Sequence, residues 1–582
     1  MVTVTGIAPG ASGVANGGEC TSGAADRTRN GSLRVAAVFS DHMVLQRETP
    51  VAVFGTAPAG GRVVVDLMDD QGVTVAQTMA VAQAYGEHET EAPWLAILPA
   101  RPASGPYTLR VSHETNRLEF ADVMIGEVWL AGGQSNMELE LHTSEHGDEA
   151  IAAADDPLLR FYNTPKAGRI DESAEAASGW EPALAPQVTG MSAIAYHFGA
   201  RLRAQLGADM AVGIIDCYIG GTSITSWMSR ATLIGSDAGR PYVERYEAAI
   251  AGKTEEQMRA EADEWQTVFD RWNNNVAAMK EAHPGITQPQ IDAEIGPCPW
   301  PPPVTPFSER RVSAPYEAMV RRVAPYTLRG FLWYQGEEDE AQCESYRELL
   351  GLLIEEWRTL WNLGGYAEPT VGYQADAGAD ALPFIVVQLP QWIDGQVAAR
   401  GEDPRHWPVI RAAQRDASET LHDVLLVCTM DCGEFDNIHP LDKTTVGTRI
   451  ADMALRGVYG RADVEAESPC VAGVTPAPGA LDVTFTNARG LHWRGTTPDT
   501  LRAAAGESGA RGAGESGFEI AGADGVYADA GARIMPGDGE RVTVRVEAPH
   551  VDSPTAVRYA WKSWGPAPLF NGAELPALPY AG

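Results

Sequence analysis

Four short segments of this 582-residue chain carry the side chains of a hydrolytic site. They are Gly132-Gly133-Gln134-Ser135-Asn136-Met137, Gly220-Gly221-Thr222, Trp333-Tyr334-Gln335-Gly336-Glu337 and Asp436-Asn437-Ile438-His439-Pro440. In chain order they supply a serine beside glycines, a glycine backbone donor, an amide with a carboxylate, and an acid three residues before a histidine. Acyl transfer through an activated serine needs these groups together.

The elements around the segments predict a parallel sheet. Between residue 122 and about 463, short apolar strands alternate with amphipathic helices, which is typical of α/β folds with helices on both faces of the sheet. Each segment follows a predicted strand, and those strands are residues 127–131, 212–216, 331–334 and 424–427. A further strand is predicted at 384–387, and helices at 192–206, 346–361, 409–418 and from Lys443 onward. The four segments therefore meet at the carboxyl edge of one sheet, where α/β proteins bind ligands.

The glycine-rich turn after the first strand predicts that the Ser135 hydroxyl projects into the crevice at this edge. The backbone N–H groups of Ser135 and Gly221, with the Gln335 side-chain amide, are candidates for an oxyanion hole. Ser135 and Gly221 each have a structural alternative. Ser135 could instead cap a short helix, and Gly221 could belong to a plain turn.

The histidine in the fourth segment is the candidate general base. The three-residue spacing between Asp436 and His439 lets one loop bring carboxylate and imidazole together, so that Asp436 orients the ring while His439 takes the serine proton. His142 and His146, a few residues after Ser135, are the competing histidines.

Composition excludes several classes of partner. The chain is 44% hydrophobic and 21% charged, as in ordinary globular proteins, and its formal charge of -34 disfavours nucleic acid and anionic membranes. Its seven cysteines are too sparse for a disulfide framework, and we predict neither a metal site nor a cofactor. No stretch reaches the roughly 20 apolar residues of a membrane span. The first residues lack the basic start and apolar region of a signal peptide, which predicts a cytoplasmic protein.

The pattern divides the chain into a disordered leader and three domains. Residues 1–34 form the leader, 35–121 an N-terminal β domain, 122–463 the catalytic α/β domain and 464–582 a C-terminal β domain. Two inserts interrupt the catalytic part: a helical one at about 241–283 and a Pro-rich loop at about 288–306, to which proline denies regular structure. Both inserts could overhang the site. The Gly-rich stretch 503–517 predicts a hairpin loop.

The four motifs resemble those of the sialate O-acetylesterase family of SGNH hydrolases. The resemblance extends to Phe39-Ser40-Asp41-His42-Met43 near the start and Val557-Arg558-Tyr559-Ala560-Trp561 near the end. It implies an SGNH, flavodoxin-like three-layer catalytic domain with a parallel sheet, flanked by two β-sandwich-like domains. It also implies hydrolysis of acetyl esters on sialic acid through an acetyl-enzyme, with Ser135 as nucleophile, His439 as base, Asp436 as orienting acid, and Ser135, Gly221 and Gln335 as oxyanion donors.

One departure from the family pattern shifts a role. The family often has Gly-Glu-Ser-Asn where this chain has Gly336-Glu337-Glu338-Asp339, and a carboxylate at Asp339 would repel an oxyanion, so Gln335 is the better amide candidate. Glu337 is a rival to Asp436 because related carbohydrate esterases can use a glutamate at this point to support the histidine.

The sequence leaves the sugar-binding residues and the oligomeric state open. Candidate stacking residues are Trp129, Trp227, Trp300 and Trp333, and candidate carboxylate-binding residues are Arg160, Arg230, Arg311 and Arg411. The favoured substrate is an O-acetylated sialic acid. Alternatives are deacetylation of xylan or another glycan, and a carbohydrate-binding protein with an inactive hydrolase centre.

Overall fold

The computed structural model describes residues 29–30, 32–84, 90–283, 286–362, 381–495, 510–537 and 539–582. Most of the predicted leader (1–28) and residues 503–509 of the predicted hairpin loop lie outside these ranges.

The N-terminal part is built from strands, as predicted. They are β1 (Arg29–Asn30), β2 (Leu33–Val35), β3 (Val44–Gln46), β4 (Val51–Pro58), β5 (Arg62–Met68), β6 (Thr74–Val81), β7 (Glu91–Leu98), β8 (Ser104–His113) and β9 (Asn116–Gly133). Strand β7 buries every second residue, including Trp94, Ala96 and Leu98, which is the two-residue period of a strand with one face in a core. Strands β1, β2, β4 and β7 form one sheet, and β5, β6, β8 and β9 belong to a second.

The 18-residue strand β9 connects the N-terminal strands with the catalytic sheet. Its first half pairs with β8, and its second half lies in the catalytic sheet, where all residues from Val128 to Gly133 are buried. Asp122 has a left-handed φ of 53° inside the strand. The predicted boundary at 121/122 therefore falls within one continuous strand, and the proposed domain limits stay a prediction.

The catalytic sheet has the predicted parallel core. Its remaining strands are β10 (Asp155–Asn163), β11 (Trp180–Leu184), β12 (Val212–Tyr218), β13 (Gly330–Tyr334), β14 (Phe384–Val387) and β15 (Val424–Val427). The order is β11-β10-β12-β9-β13-β14-β15, in which every pair from β10 to β15 is parallel and β11 is an antiparallel edge. The five strands predicted from the sequence are all present.

The helices of this region are α1 (Ser135–Glu138), α2 (Gly147–Ala153), α3 (Glu172–Ala177), α4 (Ala193–Leu206), α5 (Arg230–Gly235), α6 (Arg240–Ile250), α7 (Glu255–Ala282), α8 (Gln288–Ile295), α9 (Arg321–Val323), α10 (Tyr346–Trp361), α11 (Gly395–Ala399), α12 (His406–Thr420) and α13 (Lys443–Gly457). The four predicted helices correspond to α4, α10, α12 and α13. Ser192 caps α4, because its hydroxyl accepts from the Ala195 N–H.

Helices cover both faces of the catalytic sheet. Trp129 on β9 packs against Phe198 of α4, with ring centroids 5.4 Å apart. Gly132, three residues further along the strand and so on the other face, lies against Trp357 of α10; a Cβ there would be 3.1 Å from that ring. Helix α4 packs with α13, and α10 packs with α12.

The two predicted inserts differ in how well the sequence described them. The helical insert corresponds to α6 and α7, as expected. The Pro-rich loop was predicted to lack regular structure, and this is wrong for its first half, which forms α8. Pro289 lies in the first turn of α8, where a proline removes no helical hydrogen bond, and Thr287 and Gln290 form a capping box.

The C-terminal strands are all paired antiparallel. They are β16 (Cys470–Ala477), β17 (Ala480–Thr486), β18 (His492–Trp493), β19 (Ala510–Arg511), β20 (Phe518–Ala521), β21 (Tyr527–Ile534), β22 (Val542–Glu547), β23 (Ala556–Tyr559), β24 (Leu569–Phe570) and β25 (Tyr580–Ala581). Their core includes Cys428 and Met430, which follow β15 of the catalytic sheet. None of the helices in the described ranges has the length and apolar character of a membrane span.

Candidate active site

The four sequence segments meet at the carboxyl edge of the parallel sheet, as predicted. Ser135 follows β9, Gly221 follows β12, Gln335 and Glu337 follow β13, and His439 lies in the loop after β15. Strands β12 and β13 are the two neighbours of β9, so the serine lies between the Gly221 loop and the Gln335 loop.

The structure brings Ser135 and His439 together across 304 residues of sequence. The Oγ of Ser135 lies 2.8 Å from Nε2 of His439, and both side chains are buried. This is the hydrogen bond through which an imidazole takes a serine proton. His142 and His146 are exposed, and the competing assignments to them lose support.

The turn before Ser135 explains how the hydroxyl is presented. Gly133 has φ of 141°, and a Cβ at this position would lie 2.0 Å from the Tyr334 carbonyl oxygen, so only glycine fits. Gln134 is the N-cap residue of α1 and Ser135 is its first helical residue. The alternative reading of Ser135 as a capping residue is therefore wrong.

A buried polar network surrounds His439 and the residue after the nucleophile. Asn136 Nδ2 donates to Glu337 Oε1 at 2.6 Å and to the Ile438 carbonyl oxygen at 2.9 Å. Lys443 Nζ donates to Asn136 Oδ1 at 2.6 Å. Asn136 follows Ser135 and Ile438 precedes His439, so this network joins the two backbone segments that carry the reacting side chains. We call Asn136, Glu337, His439 and Lys443 the His439 side of the site.

Burial shifts the two charged groups of this network. Desolvation raises the pKa of Glu337 to about 7, against the opposing effects of the Asn136 hydrogen bond and the Lys443 charge. Desolvation also lowers the pKa of Lys443 to about 8, with Glu337 opposing that shift. Both groups therefore titrate close to neutral pH, as buried groups at functional sites often do.

The structure places Asp436 in the loop of His439 with a backbone partner. Its Oδ1 accepts from the Gly395 N–H at 2.7 Å, its φ is 61°, and it is half-buried. Burial raises its pKa to about 6, with Asp394 and Asp292 adding to the rise. The hydrogen bond that the structure gives to this carboxylate thus comes from Gly395 and not from His439, and the role of Asp436 as orienting acid stays a prediction.

The opposite wall of the site is formed by the loop after β12 and by the Pro-rich insert. Gly221 has φ of 68°, and a Cβ there would lie 2.4 Å from the Trp300 ring. A Cβ on Gly220 would lie 3.3 Å from Ser135 Cβ. Arg310 Nε donates to the Gly220 carbonyl oxygen at 2.9 Å. We call Gly220, Gly221, Trp300 and Arg310 the Trp300 side of the site.

The backbone donors predicted for an oxyanion hole are placed on this wall and at the helix start. The Gly220 N–H donates to the Glu138 carboxylate. Within the described ranges no hydrogen bond acceptor is present for the N–H of Gly221 or Ser135, the latter being at the first position of α1. Both groups are available to a ligand.

The Gln335 side chain differs from its expected role. Its Nε2 donates to Gln134 Oε1 and the Thr222 carbonyl oxygen, each at 3.1 Å, and to Asp339 Oδ2 at 2.6 Å. Two amide hydrogens shared among three protein acceptors leave none for an oxyanion. In this structure the hydrogen bonds of Gln335 connect the Gly221 loop with Gln134 and Asp339.

Asp339 has a structural role. The sequence had already argued against Asp339 as an oxyanion donor, because its carboxylate would repel an oxyanion. Its carboxylate accepts from Ser223 Oγ at 2.6 Å and from the Ile224 N–H at 2.8 Å, immediately after the Gly221 loop. Burial raises its pKa, and these hydrogen bonds oppose the rise.

Most of the predicted sugar-binding candidates lie elsewhere. Trp129, Trp227 and Trp333 are fully buried in the core. Arg160 and Arg411 are buried and donate mainly to backbone carbonyl groups, Arg230 pairs with Glu247, and Arg311 binds the Gly168 and Pro306 carbonyls. Of these candidates only Trp300 lies beside the site.

Sequence reasoning gave no role to three residues at the site. Asn136 lies inside the first motif, and the signal that could have found it is a polar residue directly after the reacting serine. Lys443 lies three residues after the end of the fourth motif, at the predicted start of a helix. Arg310 lies outside every motif, in the segment after the Pro-rich loop, and nothing in the local sequence indicates that its side chain reaches the Gly220 carbonyl.

Comparison with known proteins agrees with this geometry. Residues 304–456, which include His439 but not Ser135, match the family model of a carbohydrate esterase described as a sialic acid-specific acetylesterase. The sialate O-acetylesterase of Mus musculus is 24% identical over 458 residues, which is 75% of each chain. That of Homo sapiens is 22% identical over 468 residues, which is 76% of this chain and 75% of the human protein. The crystal structure of a carbohydrate acetylesterase from Xanthomonas citri matches with a TM-score of 0.66 at 25% identity, over 94% of this chain and 99% of the other.

The assembled serine and histidine and these matches define a carboxylic ester hydrolase of the carbohydrate esterase class. Within that class, the chain is similar to the sialate O-acetylesterases, with which it aligns over about three quarters of its length.

Proposed function

We propose that the chain hydrolyses O-acetyl esters of sialic acids through an acetyl-enzyme on Ser135. The observation that carries this proposal is the 2.8 Å hydrogen bond between Ser135 Oγ and His439 Nε2 in a buried site. The family model and the sialate O-acetylesterases of mouse and human support the choice of substrate.

Acylation begins with proton transfer from Ser135 Oγ to His439 Nε2 as Oγ attacks the acetyl carbonyl carbon. The carbonyl oxygen becomes an oxyanion, and we propose the Ser135 and Gly221 N–H groups as the donors that bind it. The intermediate collapses by breaking the bond from the carbonyl carbon to the sugar oxygen. His439 returns its proton to that oxygen, so the sugar leaves as an alcohol and the acetyl group stays on Ser135.

Deacylation repeats these steps with water as the nucleophile. His439 takes a proton from the water as its oxygen attacks the acetyl carbonyl, and the same two N–H groups stabilise the second oxyanion. The bond to Ser135 Oγ breaks, His439 returns the proton to Oγ, and acetate is released. Every step uses groups of this chain and no cofactor.

We propose Asp436 as the acid that orients His439, with Glu337 as the alternative. Asp436 shares a loop with His439, and the Gly395 N–H holds Oδ1, which leaves Oδ2 for an imidazole N–H. Glu337 already accepts from Asn136 and supports the site through that residue.

Other parts of the proposal concern the fold and its context. The parallel strand order and the helices on both faces support an SGNH, flavodoxin-like three-layer catalytic domain. We also propose that the N-terminal and C-terminal β regions are β-sandwich-like domains. The cytoplasmic location and the absence of nucleic-acid and membrane partners stay predictions.

The test measures free acetate from an O-acetylated sialic acid and from acetylated xylooligosaccharides, with an aryl acetate as a reference ester. We expect release from the sialic acid to exceed release from the xylo-substrate. The opposite preference would replace the proposal with the acetylxylan alternative. Activity on the aryl acetate that survives in Ser135→Ala would refute the shared mechanism, and an inactive parent would favour the carbohydrate-binding alternative.

A further inference from the structure

In the folded chain, only Gly220 lies between the guanidinium group of Arg310 and the nucleophile Ser135. Arg310 Nε binds the Gly220 carbonyl oxygen at 2.9 Å, and Gly220 is in contact with Ser135. The Arg310 Cζ lies 5.7 Å from the centroid of the Trp300 ring, which covers Gly221. Arg310 therefore belongs to the wall that faces the ester.

The backbone and the side chain of Arg310 are both held in place. Ser226 Oγ donates to the Arg310 carbonyl oxygen at 3.1 Å, and Ser226 lies in the 3-10 turn (Ile224–Trp227) after the Gly221 loop. Trp300 is itself packed against Trp265 and Phe269 of α7, with ring centroids 6.3 and 6.4 Å away. The two inserts thus position this guanidinium.

The guanidinium retains donors for a ligand. Its Nε is used by Gly220, and one terminal nitrogen, Nη1, pairs with Glu309 at 2.8 Å. The side chain is 30% exposed, and Glu309 is 33% exposed, so a ligand can reach this pair and compete for it. Exposed ion pairs of this kind contribute at most about 1 kcal/mol, so a ligand anion displaces Glu309 at little cost.

Glu338 is an acid whose carboxyl group interacts with the Arg310 charge. Burial, with a further contribution from Asp339, raises the pKa of Glu338 to about 8, and Arg310 opposes this rise. This shift favours the neutral form of Glu338 and so reduces its repulsion of an anion at Arg310.

We propose that Arg310 binds the carboxylate of the O-acetylated sugar and so selects acidic over neutral sugars, a role that rests on the proposed function of the site. A guanidinium presents N–H groups in a planar fork that matches a carboxylate, which an ester or amide does not replace. Trp300 makes a cation-π contact with the guanidinium, and the hydrogen bond to the Gly220 carbonyl holds it near Ser135. The ester at Ser135 and the carboxylate at Arg310 then lie on one substrate molecule.

The experiment compares two substrates that differ only in charge: an O-acetylated sialic acid and the methyl ester of its carboxylate. Acetate release from the O-acetyl group gives kcat/KM for each, and the acid-to-methyl-ester ratio is the readout. Loss of the Arg310 contact to Gly220 affects both substrates and cancels in this ratio. Arg310→Gln should lower the ratio about 10- to 100-fold, as expected for a charged hydrogen bond. Arg230→Gln, which removes a surface arginine paired with Glu247, is the matched control.

The outcomes separate this inference from the proposed function. A parent protein that releases acetate from neither substrate defeats the proposed function. A parent that hydrolyses both equally well, or an Arg310→Gln ratio equal to that of the parent, overturns only the role of Arg310. A fall of similar size in Arg230→Gln would assign the effect to the overall charge of the protein and would also overturn it.

A second variant tests the same geometry in the opposite direction. Glu309→Gln removes the carboxylate that competes for the guanidinium, and we expect the ratio to rise about two- to fivefold, the worth of one exposed ion pair. A ratio at or below the parent value would contradict the proposal.

Discussion

The two sides of the site are built from different parts of the chain. The His439 side is enclosed by the ends of parallel strands, and its four members are buried. Asn136 forms hydrogen bonds of 2.6 to 2.9 Å with Glu337, with Lys443 and with the carbonyl of Ile438, the residue before His439. The Trp300 side depends on the segment after α8, and Trp300 and Arg310 are both partly exposed. The first arrangement fixes reacting atoms, whereas the second presents surface to a ligand.

This difference assigns separate tasks to the two sides. Bond making needs distances that stay fixed, and a buried network with few alternative partners supplies them. Recognition of a sugar needs solvent-accessible groups whose bound water a ligand can displace. Insertions on a rigid scaffold supply such groups. Variants on the His439 side should therefore change kcat for every ester, and variants on the Trp300 side should change KM or the preference among esters.

The largest effect is expected from the reacting pair. Ser135→Ala and His439→Ala should each lower kcat on an aryl acetate about 10⁴-fold or more, and the double variant should be no worse than either single one, because the two residues act as a unit. His142→Ala, at an exposed histidine near Ser135, is the control and should keep parent activity. Additive losses in the double variant would show that the two residues do not share one step.

The orienting acid should give the next largest effect. Asp436→Ala is expected to lower kcat about 10³-fold, because a carboxylate fixes the tautomer and stabilises the imidazolium. Burial raises the pKa of Asp436 to about 6, so kcat should fall as the pH drops through 6 and this carboxylate is protonated. The measurements are kcat on an aryl acetate at pH 7.5 and its profile from pH 5 to 8.

An Asp436→Ala variant with nearly the kcat of the parent would contradict the assignment of Asp436 as the orienting acid. If Glu337→Ala then lost most of its activity, Glu337 would be the orienting acid, and the His439 side would contain both the histidine and its acid. Glu337→Gln separates the two roles further, since glutamine can still accept from Asn136 but carries no charge to stabilise an imidazolium.

A variant of Lys443 tests whether the His439 side acts by holding the reacting side chains in position. Lys443→Met removes the donor to Asn136 and should lower kcat about 10- to 100-fold, because small displacements of reacting atoms are costly. The loss should be equal for the acidic and the methyl ester substrate, since Lys443 contacts neither. Lys562→Met, at a partly exposed lysine paired with Asp529, is the control. A loss that falls mainly on the acidic substrate would place Lys443 in recognition instead.

The sequence predicted the His439 side far better than the Trp300 side. Ser135, His439 and the strands before them follow from local patterns, because a short apolar strand and a glycine turn fix where the next side chain points. Gln335 was assigned a donor role that its buried contacts to Thr222 and Asp339 use up. The contact with Thr222 joins residues more than 100 positions apart, and the contact with Asp339 lies within one buried loop. Neither contact can be predicted from a local sequence pattern.

The Trp300 side shows the same limit in a different form. The Pro-rich loop was predicted to lack regular structure, but Pro289 lies in the first turn of α8, where Thr287 is the cap. Arg310 reaches Gly220 across 90 residues of sequence. Three arginines with the right chemistry, Arg160, Arg311 and Arg411, bind backbone carbonyls away from the nucleophile. Arg310 also binds a carbonyl, but that carbonyl belongs to Gly220 beside Ser135, and only the folded chain shows this difference.

Trp300 provides a smaller and more selective effect. Trp300→Ala should raise KM for the acidic sugar about tenfold while kcat changes little, because an aromatic contact contributes about 1 kcal/mol and Trp300 also keeps Arg310 in place. Trp300→Phe keeps an aromatic face and is the matched control, with an expected change of less than threefold. If kcat fell for all esters and KM stayed constant, Trp300 would act on the Gly221 N–H and the two sides would not be separate.

The last prediction concerns stability, not activity, and tests the buried charge of the His439 side. Burial raises the pKa of Glu337 from its usual 4.5 to about 7, so between these values the folded chain holds a proton that the unfolded chain has released. This group therefore lowers the free energy of unfolding as pH rises from 4.5 to 7, by at most about 3 kcal/mol at 1.36 kcal/mol per pH unit. Glu337→Gln lacks this dependence, so its denaturant midpoint relative to the parent should rise across that window and stay constant above it. A difference that does not change with pH would mean that the Glu337 carboxylate is solvated or fully compensated by Lys443, and that the His439 side is less dry than its burial indicates.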